Sequence, residues 1–356
     1  MTGTNISSGN STREYRISLL VHDWPEADRR AWEDACRPGL RLKAGGAASS
    51  LAQASRNDFE NSYGAFLGFL QRKDRLDRHQ PAAAQVTPRN VEAYITDLTA
   101  RVGSVTVHTY VHQMRRAAEL LAPRADFSWL AEIEKDLALV MEPRSKYDRL
   151  VFSGQLVKAG LTLIAEAKEF IGRDLARALG IRNGLMIAIL GFCPIRRKNY
   201  ADLEIGRTFK EVHGRWWIAL PGSSTKSGRP EERCVPKLLN PSIDLYLNQS
   251  RPLLLGSTPT DALWISSITG RPFTKNNLST LISKVTLQTV GIDVSPHLFR
   301  TAAASTAAAY GSNTPHLASA LLNHTDPRVT EEHYNRATSV SASKAYADII
   351  KGYLGD

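Results

Sequence analysis

The sequence predicts a mostly α-helical protein of two domains, with a small β-hairpin that makes the second domain α+β. Three observations predict this fold class. Apolar residues recur at helical spacing through residues 45–140, a strand–turn–strand pattern interrupts a second helical stretch, and a short polar segment separates the two parts. The length of 356 residues agrees with two domains, because one domain usually takes about 100–200 residues.

The first domain is predicted as an all-α helical bundle over residues 45–140, preceded by an N-terminal extension at 1–44. Three apolar stripes, each on one helix face, predict its helices. Thr87 offers an N-cap to the second helix, which begins at Pro88. The stripes consist of Phe59, Tyr63, Phe66, Leu67 and Leu70, then Val91, Tyr94, Ile95 and Leu98, then Val107, Tyr110, Val111, Met114, Ala118 and Leu121.

Residues 141–150 contain a proline, mixed charge and no apolar period, so they are predicted to be the linker to a second domain at 151–356. In that domain, strands at Arg215–Leu220 and Arg233–Leu238 flank the turn-rich segment Pro221–Pro230. Helices are predicted at Phe152–Ile171, Arg173–Leu190, Asn276–Thr289, Pro296–Tyr310, Thr314–Asn323, Val329–Asn335 and Ser341–Tyr353.

The charge of the chain suggests a polyanionic partner. Lys and Arg exceed Asp and Glu by 45 to 35, and residues 151–356 carry 24 of these basic and 16 of these acidic side chains. Basic domains are typical of proteins that bind nucleic acid or anionic membranes. The longest apolar stretch, Gly184–Ile195, is shorter than the roughly 20 residues that span a bilayer. It predicts a buried helix in a cytoplasmic protein, and it favours nucleic acid as the partner.

The cysteine content excludes two further classes of protein. Cys36, Cys193 and Cys234 are an odd number without paired spacing. Neither a disulfide framework nor a cysteine zinc site is therefore expected.

Six polar residues of the second domain carry the functional hypothesis. Each is weak alone, since a His-x-x-Arg motif occurs by chance roughly once in a chain of this size. Their order and contexts are more specific than any one of them. The set consists of Arg196 after the most apolar helix, Lys226 in the hairpin turn, His297 and Arg300 in a His-x-x-Arg motif on one helix face, His324 in Leu-Leu-Asn-His, and Tyr334 in Glu-His-Tyr-Asn-Arg.

This ordered set resembles the tyrosine recombinase (phage integrase) family over residues of about 150–340. The resemblance implies an integrase-type catalytic domain, and it matches the helical region 45–140 to the family's SAM-like core-binding domain. By this resemblance Arg196 and Arg300 are similar to the catalytic arginines and Lys226 to the catalytic lysine. His297 and His324 occupy the histidine positions, and Tyr334 is similar to the nucleophile.

These residue types suit phosphodiester transfer. Two arginine forks match the negative charge that develops on the nonbridging oxygens. A tyrosine, with an ordinary pKa of about 10, needs neighbouring cations and a proton acceptor to act as a nucleophile. The resemblance implies cleavage to a 3′-phosphotyrosine and a free 5′-hydroxyl, with Lys226 protonating the leaving oxygen and with no metal, ATP or other cofactor.

Three departures from the family pattern are visible. Many members have an acidic residue three positions after the first arginine, where this chain has Asn199. Asn323 replaces the glycine before His324, and asparagine is among the residues best able to adopt positive φ. The interval from His324 to Tyr334 is one residue longer than in many members, which places His333 in the other register.

The resemblance also implies double-stranded DNA as the partner and a homotetramer as the recombining assembly. The tail Ser341–Leu354 is similar to a segment that the family docks onto a neighbouring protomer, and packing on its own domain is the equal alternative. Two other functions stay open. One is a type IB topoisomerase, and the other is a DNA-binding relative that has lost catalysis.

DNA contacts are expected outside the catalytic set as well. In the linker, Arg144, Lys146 and Arg149 are predicted to contact phosphates, which contributes affinity without sequence information. Arg115 and Arg116, on a bundle helix, are candidates for reading the target sequence.

Overall fold

The computed structural model describes residues 17–142, 149, 151–225 and 228–310, with the side chains of 308–310 left out. The chain separates into two compact units, Met1–Ser145 and Lys146–Asp356. Each unit has its own apolar core. The predicted helices beyond Tyr310 lie outside the described residues.

The described part of the first unit is a bundle of five α-helices. They are α1 (Glu26–Cys36), α2 (Gln53–Arg72), α3 (Pro88–Thr99), α4 (Ser104–Leu121) and α5 (Ser128–Leu139). The three helices predicted from the apolar stripes are confirmed as α2, α3 and α4. Thr87 caps α3 as expected, because its Oγ1 accepts a hydrogen bond from the backbone N–H of Asn90 at 3.3 Å.

Helix α1 belongs to this core although it lies in the segment that was expected to be an N-terminal extension. Trp24 and Trp32 are both 3 % exposed and pack with the aromatic residues of α2. Asp28 Oδ1 accepts hydrogen bonds from the Tyr63 hydroxyl and the Ala83 backbone N–H, each at 2.8 Å. Burial raises the pKa of Asp28, and these two hydrogen bonds oppose that rise. They therefore attach α1 to α2 and to the loop before α3.

The second unit is built on two long helices, α6 (Ser153–Glu169) and α7 (Asp174–Phe192). Glycines let them approach closely. A Cβ on Gly160 would lie 2.7 Å from the Gly184 carbonyl oxygen, and a Cβ on Gly184 would lie 2.6 Å from the Gly160 carbonyl oxygen. Helix α7 is long and apolar enough to cross a membrane, but 61 % of its most apolar window is buried inside the protein. It is a core helix, as the sequence predicted.

A three-stranded antiparallel sheet follows the short helix α8 (Arg197–Ala201). Its strands are β1 (Phe209–Val212), β2 (Arg215–Leu220) and β3 (Glu231–Cys234), in the order β1-β2-β3. The sequence predicted β2 correctly, missed β1, and placed β3 at Arg233–Leu238. The strand begins two residues earlier, and Pro236, which has no N–H to donate, is followed by a 3-10 turn at Lys237–Leu239.

Four further helices complete the described part of this unit: α9 (Asn240–Leu245), α10 (Arg251–Leu254), α11 (Lys275–Val290) and α12 (Pro296–Tyr310). A π-helical turn, Tyr246–Ser250, joins the first two. Gly291 ends α11 in the left-handed conformation, with φ of 73°. Pro296 begins α12, the helix that carries His297 and Arg300.

Candidate active site

The structure describes three of the six predicted catalytic residues, and all three lie in the second unit. Arg196, His297 and Arg300 are described, whereas Lys226, His324 and Tyr334 lie outside the described residues. Of the predicted linker contacts, Arg149 is described and is half-buried, and Arg144 and Lys146 lie outside the described residues.

Arg196 stands at the junction between α7 and α8. Helix α7 ends at Phe192, and a buried turn follows in which the Ile195 backbone N–H donates to the Cys193 carbonyl at 2.8 Å. Tyr200 anchors α8 from the other side, because its buried hydroxyl donates to the Met186 carbonyl of α7 at 2.7 Å. Arg196 itself is half-buried, and its Nη1 is buried without a hydrogen-bond partner among the residues that the structure describes. A bound anion would satisfy such a donor.

Arg300 reaches the same junction from α12. Its Nη1 donates to the carbonyl oxygen of Pro194 at 2.7 Å, and the residue is 6 % exposed. Burial lowers the pKa of Arg300 to about 10, the positive charges of Arg196 and Arg233 contribute to the fall, and Glu231 opposes it. At neutral pH the guanidinium is therefore still charged.

His297 lies one turn before Arg300 on α12. It is exposed, whereas Leu298 and Phe299 between them are buried and fix the helix in the core. The spacing of three residues places His297 and Arg300 near one another along the helix. An exposed imidazole beside a buried guanidinium is suited to exchange a proton with a substrate bound at the arginine.

Two residues that the sequence motifs did not single out belong to this site. On β3, Arg233 Nη2 pairs with Glu231 Oε1 at 2.8 Å, and the Glu231 side chain is only 2 % exposed. Both side chains lie on the same side of the strand, since the residues are two positions apart. A Glu-x-Arg spacing in a strand directly after the hairpin turn was the signal that could have found them. We call Arg196, Arg233 and Arg300 the arginine cluster.

Strand β3 is attached to the end of α7 beside the cluster. The thiol of Cys193 lies 3.8 Å from the Cys234 carbonyl oxygen, to which it donates. Burial raises the pKa of Cys193 to about 12, so this thiol stays protonated. The elements that carry the three arginines therefore meet at the segment 193–196.

The chemistry of the cluster favours an oxyanion of phosphate type. Three guanidinium groups and one buried carboxylate leave two positive charges in a largely buried setting, where charge interactions are stronger than in water. Arginine forks match the geometry of phosphate oxygens. Within the described part of the chain, His, Cys, Asp and Glu form no group of three or more that could hold a metal ion.

In the first unit, Arg115 and Arg116 differ in their surroundings. Arg115 is 15 % exposed in its side chain, donates from Nε to Glu134 at 2.7 Å, and also pairs with Glu119. Glu134 additionally pairs with His112, which joins α4 to α5. Arg116 is 46 % exposed and pairs with Glu119 alone among the described residues. Of the two candidates for reading DNA, Arg116 is the more accessible.

Comparisons with known proteins give one informative likeness. No protein-family model and no curated protein sequence matches the chain. A crystal structure of the XerH site-specific recombinase, bound to difH substrate in a pre-cleavage complex, is similar with a TM-score of 0.54 and 16 % identity, covering 83 % of this chain and 81 % of that one. XerA recombinase is also similar, with a TM-score of 0.37, 14 % identity, and coverage of 84 % and 94 %. The likeness to XerH shows that the chain has the fold of a tyrosine recombinase, and the predicted fold class is confirmed.

Proposed function

We propose that the chain is a site-specific DNA recombinase, of the integrase type found in mobile elements, which cuts and rejoins strands through a 3′-phosphotyrosine at Tyr334. One observation carries the proposal above the fold likeness. Arg196 and Arg300, predicted from the sequence as a pair, converge on one buried junction at Pro194. Sequence order alone does not bring two such distant guanidinium groups together.

The two arginines stabilise the transition state. As the tyrosine oxygen attacks phosphorus, negative charge grows on the nonbridging oxygens, and fixed guanidinium donors are worth most at that moment. Arg300 stays charged at neutral pH because its pKa of about 10 is still well above it. Nη1 of Arg196, which is buried and has no hydrogen-bond partner in the part of the chain that the structure describes, supplies a second donor.

The remaining groups move protons. His297 accepts the proton of the Tyr334 hydroxyl or hydrogen-bonds the phosphate, and His324 donates to a nonbridging oxygen. The Tyr334 oxygen forms a bond to phosphorus while the bond from phosphorus to the 5′-oxygen breaks. Lys226 gives that leaving oxygen its proton. Attack by another 5′-hydroxyl reverses these steps and releases the tyrosine.

This reaction requires neither ATP nor a metal ion. The phosphotyrosine conserves the energy of the broken diester, so the free-energy change of the second transfer is close to zero. The positive charge that a metal would supply to the phosphate comes from the arginines.

The partner is double-stranded DNA, and recombination joins four copies of the chain around two duplexes. Arg144, Lys146 and Arg149 contact the phosphates of the duplex from the linker. The crystal structure of XerH contains that recombinase with difH substrate, which supports DNA as the ligand here. The protein acts in the cytoplasm, at the nucleoid.

A library of nicked suicide duplexes with randomised sequence tests the function across many target sites at once. Attack at a nicked strand releases a short fragment and traps the protein on DNA, so a slower band appears on a denaturing gel. The wild type forms this band, Tyr334→Phe does not, and Tyr310→Phe serves as the matched control. If the wild type forms no adduct with any member, the proposed function is wrong. Relaxation of supercoiled plasmid without strand exchange would instead favour a topoisomerase.

A further inference from the structure

A buried carboxylate lies among the guanidinium groups of the candidate site. Glu231 is 2 % exposed in its side chain, and its Oε1 pairs with Arg233 at 2.8 Å. The second oxygen, Oε2, is buried and accepts no hydrogen bond from the residues that the structure describes. Burying a carboxylate is costly unless several positive charges surround it. Its position therefore requires a functional or structural reason.

A series of contacts connects this carboxylate to Arg300. Arg233, which binds Glu231, precedes Cys234, whose carbonyl accepts from the Cys193 thiol at 3.8 Å. The residue after Cys193, Pro194, accepts from Arg300 Nη1 at 2.7 Å. Strand β3, the turn at the end of α7 and helix α12 are thus connected. The negative charge of Glu231 also acts on Arg300, because it raises the pKa of that guanidinium.

Charge balance explains why an acid is needed there. The members of the arginine cluster repel one another in a setting of low dielectric constant. Arg196 and Arg233 both lower the pKa of Arg300, and Glu231 raises it. Asn199, the buried residue three positions after Arg196 on the first turn of α8, adds no charge to the balance.

We propose that Glu231 is the positioning residue of the arginine cluster. Its carboxylate holds Arg233 directly and balances the repulsion among the three guanidinium groups until a phosphate of the DNA enters. Arg233 then joins Arg196 and Arg300 as a third donor at that phosphate. The inference rests on the proposed function for the identity of the ligand, and it deepens that function by assigning two residues to the same site.

Thermal unfolding with inorganic phosphate tests the charge balance without DNA. Glu231→Gln keeps the size of the side chain and removes the charge, and Glu232→Gln removes one charge from the exposed neighbour on the same strand. We expect the Tm of the full-length Glu231→Gln variant to lie about 5–15 °C below that of the control. Added phosphate should restore much of this loss, because the anion replaces the missing charge. The control corrects for the general stabilisation of folded proteins by phosphate.

A second variant separates charge balance from a simple structural contact. Asn199 is buried, lies three positions after Arg196 and lines a cavity of about 590 Å³, so Asn199→Asp introduces a carboxylate on α8, the helix that begins next to Arg196. The double variant Glu231→Gln/Asn199→Asp should recover Tm relative to Glu231→Gln alone. If neither phosphate nor Asn199→Asp raises the Tm of Glu231→Gln beyond the control, Glu231 is an ordinary buried pair and the inference is wrong.

The suicide duplexes give the second readout. At saturating DNA, Glu231→Gln should form adduct more slowly, by on the order of tenfold, with DNA affinity retained, and the double variant should recover the rate. A rate equal to that of Glu232→Gln contradicts the inference and leaves the proposed function intact. If the wild type forms no adduct, the proposed function fails, and the phosphate titration still decides the role of Glu231.

Discussion

Arg300 donates from Nη1 to the carbonyl oxygen of Pro194 at 2.7 Å, and this contact attaches α12 to the turn that carries Arg196. A guanidinium has five N–H donors in a planar fork, so it can hold the turn and bind a phosphate at the same time. A lysine at this position has one ammonium group for both tasks. The first prediction follows from that difference.

Arg300→Lys should lower the rate of adduct formation by about 10²–10³-fold, because the variant loses the planar fork that serves the turn and the phosphate together. Arg271→Lys, which replaces an exposed arginine of the same unit, is the matched control and should keep the wild-type rate. The rate is followed on suicide duplexes, with circular dichroism confirming the fold. Full activity of Arg300→Lys would exclude a bidentate role.

The close packing of α6 on α7 yields a stability prediction. At Gly160 a Cβ would meet backbone atoms of α7 at 2.7 Å, so Gly160→Ala forces the helices apart and should lower the free energy of unfolding by about 1–3 kcal/mol. At Gly154, on the same helix, a Cβ meets nothing within 4 Å. Gly154→Ala should be neutral or stabilising by up to about 1 kcal/mol. Denaturant unfolding of both variants is the measurement, and equal effects would show that the helices are not in close contact.

Glu134 predicts a pH dependence in the first unit. Burial alone would raise its pKa, but hydrogen bonds from Arg115 and His112 outweigh that effect, and the pKa is lowered. Because its pKa is lowered, the Glu134 carboxyl binds a proton less readily in the native state than in the unfolded state. This difference acts when the pH falls below the ordinary pKa of about 4.5. The stabilisation is therefore complete above that pH and is lost as pH falls through the lowered pKa.

Glu134→Gln should cost about 1–3 kcal/mol at pH 7, and the difference from the wild type should shrink in acid. The exposed Glu132→Gln on the same helix is the control, and it should cost little at either pH. Thermal unfolding at the two pH values measures both. A Glu134→Gln deficit that persists unchanged in acid would contradict the ionic account.

Substitutions of Arg115 and Arg116 should affect different properties. The first should lower the stability of the protein, and the second should weaken its binding to DNA. Arg115→Gln removes a partner from both Glu119 and Glu134, so it should lower the Tm of the protein. Arg116→Gln should leave the Tm near the wild-type value, weaken binding to the target site by about 1–3 kcal/mol and relax the preference for the base that it reads. Binding isotherms with a set of single-base variants of the target site measure both effects. Unchanged DNA affinity in Arg116→Gln would remove this helix from the DNA interface.

The parts of the fold that depend on local pattern were predictable from the sequence. The stripe from Phe59 to Leu70 indicated helix α2, and Thr87 with Pro88 marked the start of α3 because capping depends on neighbouring residues. The alternation of Arg215–Leu220 indicated β2. Helix α1 was missed, since its core contacts come from Trp32 and few other apolar residues in a mostly polar segment.

The candidate site depends on a different kind of sequence signal. Motif order singled out Arg196, His297 and Arg300 as candidates, and the structure brings Arg196 and Arg300 together. Glu231 and Arg233 had no such motif, and on an exposed strand the same residues would be ordinary surface charges. Their importance depends on their burial and on the effect of their charges on Arg300, which is distant in the sequence. Local spacing contains no information about such contacts.

The most direct test of the account is the chemical identity of the residue joined to DNA. Trypsin cleaves after Arg328 and Arg336, so the adduct digested with nuclease and trypsin gives the peptide Val329–Arg336, which contains both His333 and Tyr334. Fragmentation in the mass spectrometer should place the nucleotide on Tyr334, joined through a 3′-phosphate. A nucleotide on His333 or on any other peptide, or a link through a 5′-phosphate, would contradict the proposed mechanism.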